Sequence, residues 1–156
     1  MNYYDSIIYQ KKYLRKFLPR LSMEKSYFLY KKDIWTFVPG FSSPCIIFLY
    51  WDLGSWKTTL AWRILEVYYW YQPYTSPTYT YYNKYWDNYH FDLYRMKEYE
   101  EFVQIWGEEI LDNNAGIILI EWPEFLKEHY IPDIEIYINK TDMDDVRELK
   151  IKYRTI

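Results

Sequence analysis

The chain has 156 residues, a formal net charge of −3 and a single cysteine. Half of its residues are hydrophobic and 26% are charged, a balance typical of a folded globular protein. One cysteine excludes an internal disulfide framework, and the net acidity argues against a domain that binds RNA or DNA by itself. No apolar run reaches the roughly 18 residues of a membrane span. The N-terminus lacks a signal-peptide pattern, so we expect a cytoplasmic protein.

Two residue counts are unusual. Aromatic residues make up 24% of the chain, with 21 tyrosines and 8 tryptophans. Glycine occurs only 4 times, whereas average usage of roughly 7% would give about 11. Few backbone positions can therefore adopt a positive φ angle without strain.

The sequence predicts a short N-terminal lead-in segment followed by one domain. Residues 1–21 mix basic and aromatic side chains, and residues 22–156 are expected to form a single domain. The hydroxyl of Ser22 can accept a hydrogen bond from a free amide of a first helical turn. This capping signal predicts a helix from Ser22 to about Val38. Pro39-Gly40 would end that helix.

The remainder of the chain alternates between strand and helix patterns. Continuous apolar runs at 45–50 and 117–120 are typical of strands covered on both faces of a parallel sheet. Alternating patterns at 134–138 and 146–153 predict a closing hairpin. Further elements are predicted as a helix at 57–71, a strand at 89–95 and an acidic helix at 98–111. This order predicts an α/β fold, a mixed sheet flanked by helices with a C-terminal β-hairpin.

The run after the first apolar strand has the layout of a phosphate-binding loop. The string W-D-L-G-S-W-K-T-T, which begins at Trp51, follows the P-loop pattern G-x-x-x-x-G-K-[ST] except at its two glycines. Trp51 and Trp56 stand at those two positions. A P-loop binds phosphate through backbone amides that point into one small concavity. Glycine permits the backbone angles that this arrangement of amides requires, so tryptophan at the two glycine positions conflicts with the rest of the P-loop pattern.

Two later strings supply carboxylates. The string H-F-D-L-Y-R, which contains Asp92, is the polar exit of the strand predicted at 89–95, and E-W-P, which begins at Glu121, follows the apolar run at 117–120. Ligands of open α/β sheets bind beyond the carboxyl ends of the strands. We therefore expect both carboxylates to lie near Lys57 and Thr58.

Four strings in order resemble the TsaE (YjeE) family, the small P-loop ATPase of bacterial threonylcarbamoyladenosine tRNA modification. The chain shows W-D-L-G-S-W-K-T-T, S-P-T-Y-T, H-F-D-L-Y-R and E-W-P, where members typically carry G-D-L-G-[AS]-G-K-T-T, S-P-T-[YF]-T, H-F-D-L-Y-R and E-W-P. The resemblance spans roughly residues 45–138. It implies a P-loop NTPase-like fold, Mg²⁺-dependent ATP hydrolysis, partner proteins TsaB and TsaD, and contact with tRNA only through their complex.

The resemblance also implies residue roles. Lys57 would bind the β- and γ-phosphates, and Thr58 would ligate Mg²⁺ through its hydroxyl. Asp92 and Glu121 would be the catalytic carboxylates near the metal and the attacking water, with Glu121 also a metal ligand. The S-P-T-Y-T string would form a switch-like loop beside the nucleotide. The nucleotide-binding set would be Asp52, Leu53, Gly54, Ser55, Trp56, Lys57, Thr58, Thr59 and Trp122.

Other interpretations remain open. Lys57 and Thr58 could simply begin a helix, and Asp92 could form a turn at a strand end. His90 fits a packed strand residue better than a metal ligand, and one cysteine with two histidines does not favour a zinc site. An unrelated P-loop kinase conflicts with the H-F-D-L-Y-R and E-W-P strings. The main alternative is a non-catalytic TsaE-like protein that binds its partners through an aromatic face and does not bind ATP.

Overall fold

A computed structural model describes residues 22–36, 40, 44–51, 56–68 and 77–154. Within these ranges, seven strands form one mixed sheet in the order β1-β7-β6-β2-β5-β4-β3. The strands are β1 (Ser22–Tyr30), β2 (Cys45–Trp51), β3 (Tyr82–Tyr85), β4 (Asn88–Asp92), β5 (Ile117–Glu121), β6 (Ile134–Lys140) and β7 (Val146–Arg154). The helices are α1 (Lys57–Tyr68), α2 (Tyr99–Gln104) and α3 (Gly107–Asp112), with 3-10 helices at Lys31–Thr36 and Glu124–Glu128.

The centre of the sheet is parallel and its margins are antiparallel. Strand β2 pairs in parallel with β5 and β6, and β5 pairs in parallel with β4. Every residue of β2 and β5 is buried, as their continuous apolar sequences predict. Strands β6 and β7 pair antiparallel along their length. The predicted α/β class, mixed sheet and C-terminal hairpin are confirmed.

The sheet has a hydrophobic core on each face. Helix α1 packs on one face through Leu60 and Ile64, and α2 packs on the other face through Phe102. Because side chains alternate along a strand, β2 serves both cores. The α1 face includes Ile47, Leu49, Leu119, Ile136 and Ile151; the α2 face includes Ile46, Phe48, Phe91, Ile120 and Leu126.

The predicted helix from Ser22 to Val38 is wrong. Residues Ser22–Tyr30 form the edge strand β1, which pairs with β7 over its whole length, and a short 3-10 helix follows at Lys31–Thr36. Aromatic residues such as Tyr27 and Phe28 favour strands. The antiparallel partner supplies the backbone hydrogen bonds that a helix would otherwise provide, so tertiary pairing overrides the capping signal at Ser22.

Two other predicted boundaries move. The acidic helix at 98–111 is two short helices, because Trp106 adopts a left-handed φ of 66° between α2 and α3. The strand predicted at 89–95 ends at Asp92. Helix α1 is confirmed as far as Tyr68. Its predicted last turn, and the predicted lead-in at 1–21, lie outside the described residues. No helix in the described ranges is both long and apolar enough to cross a membrane.

Candidate functional site

Two carboxylates lie side by side at the carboxyl edge of the parallel strands. Asp92, the last residue of β4, is the register partner of Glu121, the last residue of β5. Glu121 is in turn the partner of Leu49 in β2. The amide of Leu93 donates to the carbonyl of Glu121 at 3.1 Å, which holds the two strand ends together. The structure thus brings together the two acids that the sequence places 29 residues apart.

The P-loop-like string adjoins this same edge on both sides of its undescribed middle. Strand β2 ends at this edge with Trp51, and helix α1 begins at Lys57. The first turn of a helix carries amides without intrahelical partners and therefore favours anions. The predicted ligands Asp52, Leu53, Gly54 and Ser55 lie outside the described residues, as do the side chains of Lys57 and Thr58. Thr59 is half-buried.

Glu121 is held by a histidine from the neighbouring strand. Nε2 of His90 lies 2.7 Å from Oε1 of Glu121. His90 is fully buried and Glu121 is 3% exposed. A buried carboxylate is costly unless it is hydrogen-bonded. His90 pairs in register with Leu119, which belongs to the α1-side core, so the histidine and both acids lie on the face that α1 covers.

Asp92 is bonded through both of its carboxylate oxygens. The hydroxyl of Thr78 donates to Oδ2 at 2.9 Å, and the amide of Tyr94 donates to Oδ1 at 3.1 Å. The first bond attaches Thr78, a residue of the S-P-T-Y-T string, to the end of β4. The second forms the turn that ends the strand. Asp92 is therefore a turn former, as one interpretation of the sequence held, and it also lies beside Glu121.

The two indoles of the P-loop-like string pack inward. Trp51 and Trp56 are both buried in the α1-side core, together with Leu60. Both rings therefore contribute to folding in this form of the chain.

A buried arginine adjoins the string and was missed in the sequence. Arg147 is 7% exposed, and its Cζ lies 5.0 Å from the centroid of the Trp56 ring. Its Nη1 donates to the carbonyls of Asp144 and Val146 at 2.9 and 2.8 Å. Within the described ranges, its Nε has no hydrogen-bond partner, and no carboxylate forms an ion pair with the guanidinium. A buried cation without an anion is costly, so this position favours an anionic ligand.

The alternation of inward- and outward-facing residues along β7 could have identified Arg147 from the sequence. Arg147 lies in phase with Leu149 and Ile151, both of which face the α1-side core. A charged residue at an inward-facing strand position is a candidate functional residue, because charged side chains are rarely buried without a partner.

Trp122 follows Glu121 in a strained backbone conformation. Its φ is 58°, a left-handed value that a residue with a bulky side chain rarely adopts. Its half-buried ring packs against both hydrophobic cores and lies 5.1 Å from the Tyr94 ring, centroid to centroid. Backbone strain of this kind is maintained where the surrounding packing fixes it, often at functional sites.

The carboxylates fit a magnesium site in which the protein supplies few ligands and the phosphates of a nucleotide supply others. No cluster of three or more His, Cys, Asp or Glu side chains that could hold a metal occurs in the part of the chain that the structure describes. Mg²⁺ is usually bound by one or two carboxylates, waters and substrate phosphates. Within the described ranges, Glu121 Oε2 has no hydrogen-bond partner, so one oxygen is available for such a ligand.

Comparison with known proteins identifies the family. A profile of the family described as "Threonylcarbamoyl adenosine biosynthesis protein TsaE" matches residues 25–149. The chain belongs to the TsaE family. The matched range runs from β1 into β7, and so includes every element that positions the site of this TsaE family member.

Individual relatives agree with this assignment. A protein of Haemophilus influenzae named tRNA threonylcarbamoyladenosine biosynthesis protein TsaE is 34% identical over 116 residues, which cover 70% of this chain and 71% of the relative. A protein of the same name from Rickettsia bellii is 37% identical over 111 residues, covering 67% and 74%. The fold is similar to a crystal structure of Bacillus subtilus YdiB, with a TM-score of 0.63, 24% identity and coverage of 88% and 90%.

Proposed function

We propose that this chain is a nucleotide-binding subunit that supports threonylcarbamoyladenosine modification of tRNA by Mg²⁺-dependent ATP hydrolysis in the cytoplasm. TsaB and TsaD would be its partners, and tRNA would be reached through their complex. Family membership supports the pathway. The observation that supports the proposed chemistry is that Asp92 and Glu121 lie side by side at the edge of the sheet where β2 ends.

Each residue would act mainly by position and charge. Phosphoryl transfer requires positioning and charge neutralisation more than covalent chemistry. Lys57 and the amides of the first α1 turn would bind the β- and γ-phosphates. Thr58 and Glu121 would hold Mg²⁺, which neutralises phosphate charge when it is bound. Asp92, fixed by Thr78, would orient the attacking water.

Arg147 extends this site toward the phosphates. Its planar guanidinium suits phosphate oxygens, and it packs on the residue directly before Lys57. A triphosphate would supply the anion that this buried cation lacks among the described residues. The expected result of Arg147→Lys is weaker nucleotide binding, because an ammonium cannot form the same paired hydrogen bonds.

A second candidate function is a non-catalytic partner protein. Trp51 and Trp56 replace the glycines that a phosphate loop needs, which favours this alternative. Large apolar side chains are also exposed on the surface, including Phe28 at 68% and Tyr79 at 82%. Exposed aromatic residues are enriched at protein interfaces.

One titration separates the two functions. The intrinsic tryptophan fluorescence of the parent, Lys57→Ala and Trp51→Gly/Trp56→Gly would be followed as Mg²⁺-ATP is added. Lys127→Ala is the matched control, because Lys127 is exposed on the opposite face of the sheet, over the Tyr50 ring. Saturable binding that Lys57→Ala removes and Lys127→Ala preserves supports the ATPase. A pull-down with TsaB and TsaD completes the test. If neither the parent nor the glycine variant binds Mg²⁺-ATP but the chain still captures TsaB and TsaD, the non-catalytic function is supported instead.

A further inference from the structure

We propose that His90 is a positioning residue that fixes the Glu121 carboxylate for Mg²⁺. This role rests on the proposed function. The two side chains come from neighbouring parallel strands, and their 2.7 Å contact is buried on the face that α1 covers. The contact occupies Oε1 of Glu121, and among the described residues Oε2 has no partner, so it is available to another ligand.

The chemistry of His90 argues against a packing role alone. Its Nδ1 is buried and has no hydrogen-bond partner among the described residues, which costs free energy that a leucine at the same position would not incur. The feature that distinguishes histidine from leucine at this position is the hydrogen bond between Nε2 and Glu121. Hydrogen bonds to metal-ligating carboxylates orient the ligand, and their loss typically weakens metal affinity about 10- to 100-fold.

The test measures metal affinity rather than turnover. Mn²⁺ binding to the protein–nucleotide complex would be measured by electron paramagnetic resonance for the parent, His90→Leu and His90→Gln. The parent here is whichever of the chain and its Trp51→Gly/Trp56→Gly variant binds nucleotide more tightly. We expect His90→Leu to weaken Mn²⁺ binding about 10- to 100-fold. His90→Gln, whose amide can still donate to Glu121, should stay within a few-fold of the parent.

Two results would overturn the role of His90. One is equal Mn²⁺ affinity in the parent and in a folded His90→Leu protein. The other is a His90→Gln protein that binds as weakly as His90→Leu, which would indicate a purely structural histidine. Thermal unfolding of each variant controls for folding. If neither parent form binds Mn²⁺-nucleotide, the proposed function fails, and the role of His90 fails with it.

An independent observation concerns tryptophans at positions that favour glycine. Trp86 is the first residue of the two-residue turn between β3 and β4. It has a φ of 55°, whereas its neighbour Asp87 has no positive φ. A positive φ at the first turn position only is the pattern of a type II′ turn, where glycine is preferred. Trp86 is 61% exposed, so its ring gains little from burial.

Trp106 occupies the corresponding position at a helix end. It follows the C-cap residue Ile105 of α2, has a φ of 66°, and donates its amide to the carbonyl of Val103 at 3.0 Å. A left-handed residue with this hydrogen bond is typical of the Schellman helix end, and glycine is the usual residue there. Trp106 is 67% exposed.

We infer that the working protein carries glycine at positions 51, 56, 86 and 106. Two of these positions are the glycines of the phosphate-loop pattern, and two have left-handed backbone. One cause accounts for all four: a codon that the source cell reads as glycine has been read as tryptophan. UGA fits, because it differs by one base from the tryptophan codon UGG and by one base from the glycine codon GGA. The exchange would also double a glycine count of only 4.

Trp122 is the internal control for this inference. It shares the left-handed backbone, with a φ of 58°, but its ring packs against both cores. It also belongs to the E-W-P string, where tryptophan is the family residue. Trp122 should therefore be a true tryptophan.

The gene and the native protein test the inference without reference to ATP. We expect UGA at codons 51, 56, 86 and 106 and UGG at codon 122. Peptide masses of the protein purified from its source cells should show glycine at the four positions and tryptophan at Trp122. UGG at all five codons, or tryptophan in the native peptides at the four positions, would overturn the inference. Either outcome is independent of whether the protein hydrolyses ATP.

Discussion

Replacing Trp106 or Trp122 by glycine should change stability in opposite directions, although the two residues share one backbone conformation. A left-handed conformation costs a non-glycine residue roughly 1–2 kcal/mol, and both substitutions remove that cost. Glycine in turn costs about 0.4–1 kcal/mol through the greater freedom of the unfolded chain. The backbone balance at each site is therefore a gain of between zero and about 1.6 kcal/mol.

The packing of the two rings then decides the sign. Trp106 is 67% exposed, so Trp106→Gly loses little packing and should stabilise the protein by about 0.5–1 kcal/mol. The half-buried ring of Trp122 packs on both cores and on Tyr94. Truncating a fully buried aromatic residue costs about 3–5 kcal/mol, so we expect a net loss of about 2 kcal/mol in Trp122→Gly.

Urea unfolding at 25 °C measures both changes. The midpoint should rise in Trp106→Gly and fall in Trp122→Gly, with similar slopes in both variants. Trp106→Ala serves as the matched control, because it removes the ring but keeps a β-carbon in the left-handed region. Its midpoint should stay close to that of the parent. A fall in midpoint for Trp106→Gly would refute the argument that strain dominates at this exposed position.

Three further predictions concern other parts of the molecule. Gly116→Ala should destabilise the protein by about 2–3 kcal/mol in urea unfolding, because the added methyl would overlap the Asp87 carbonyl; an unchanged midpoint would contradict this. Arg147→Leu should abolish Mg²⁺-ATP binding in calorimetry while leaving the thermal midpoint unchanged or raised, since it removes a buried charge; unchanged affinity would exclude Arg147 from the site. Burial raises the pKa of Tyr130 to about 12, above its unfolded value of about 10. The contribution of the protonated Tyr130 to the free energy of unfolding is therefore complete below pH of about 10 and is lost as the pH rises toward 12. In Tyr130→Phe, the urea midpoint should fall less between pH of about 10 and 12 than it does in the parent.

The parallel centre of the fold could be predicted because its sequence signals are local. The apolar runs of β2 and β5 are too short for membrane spans and too continuous for half-exposed strands, so they indicate buried strands. The alternation of β6 and β7 indicated the hairpin in the same way. Strand β1 was missed because its conformation depends on a partner more than 100 residues away, and Ser22 carries a capping signal that this pairing overrides.

The candidate site was predicted in its composition but not in its contacts. Asp92 and Glu121 were recognisable because each lies near the carboxyl end of a predicted strand, at the edge where ligands bind. The bond between His90 and Glu121 depends on the register of β4 against β5, which no local pattern encodes. The break at Trp106 was missed because tryptophan gives no signal for a helix end, although glycine at that position would.

The position of the bound metal tests the central claim most directly. The chain contains two histidines: His90 contacts Glu121, and the exposed His129 stacks on Tyr99, which belongs to the α2 side of the sheet. Proton NMR of the two histidine rings would be recorded as Mn²⁺-nucleotide is added to the form of the protein that binds it most tightly, with His90→Gln assigning the signals. A metal held by Glu121 broadens the His90 signals first and leaves His129 sharp. Equal broadening of both rings, or broadening of His129 first, would contradict a nucleotide site at the carboxyl ends of β4 and β5.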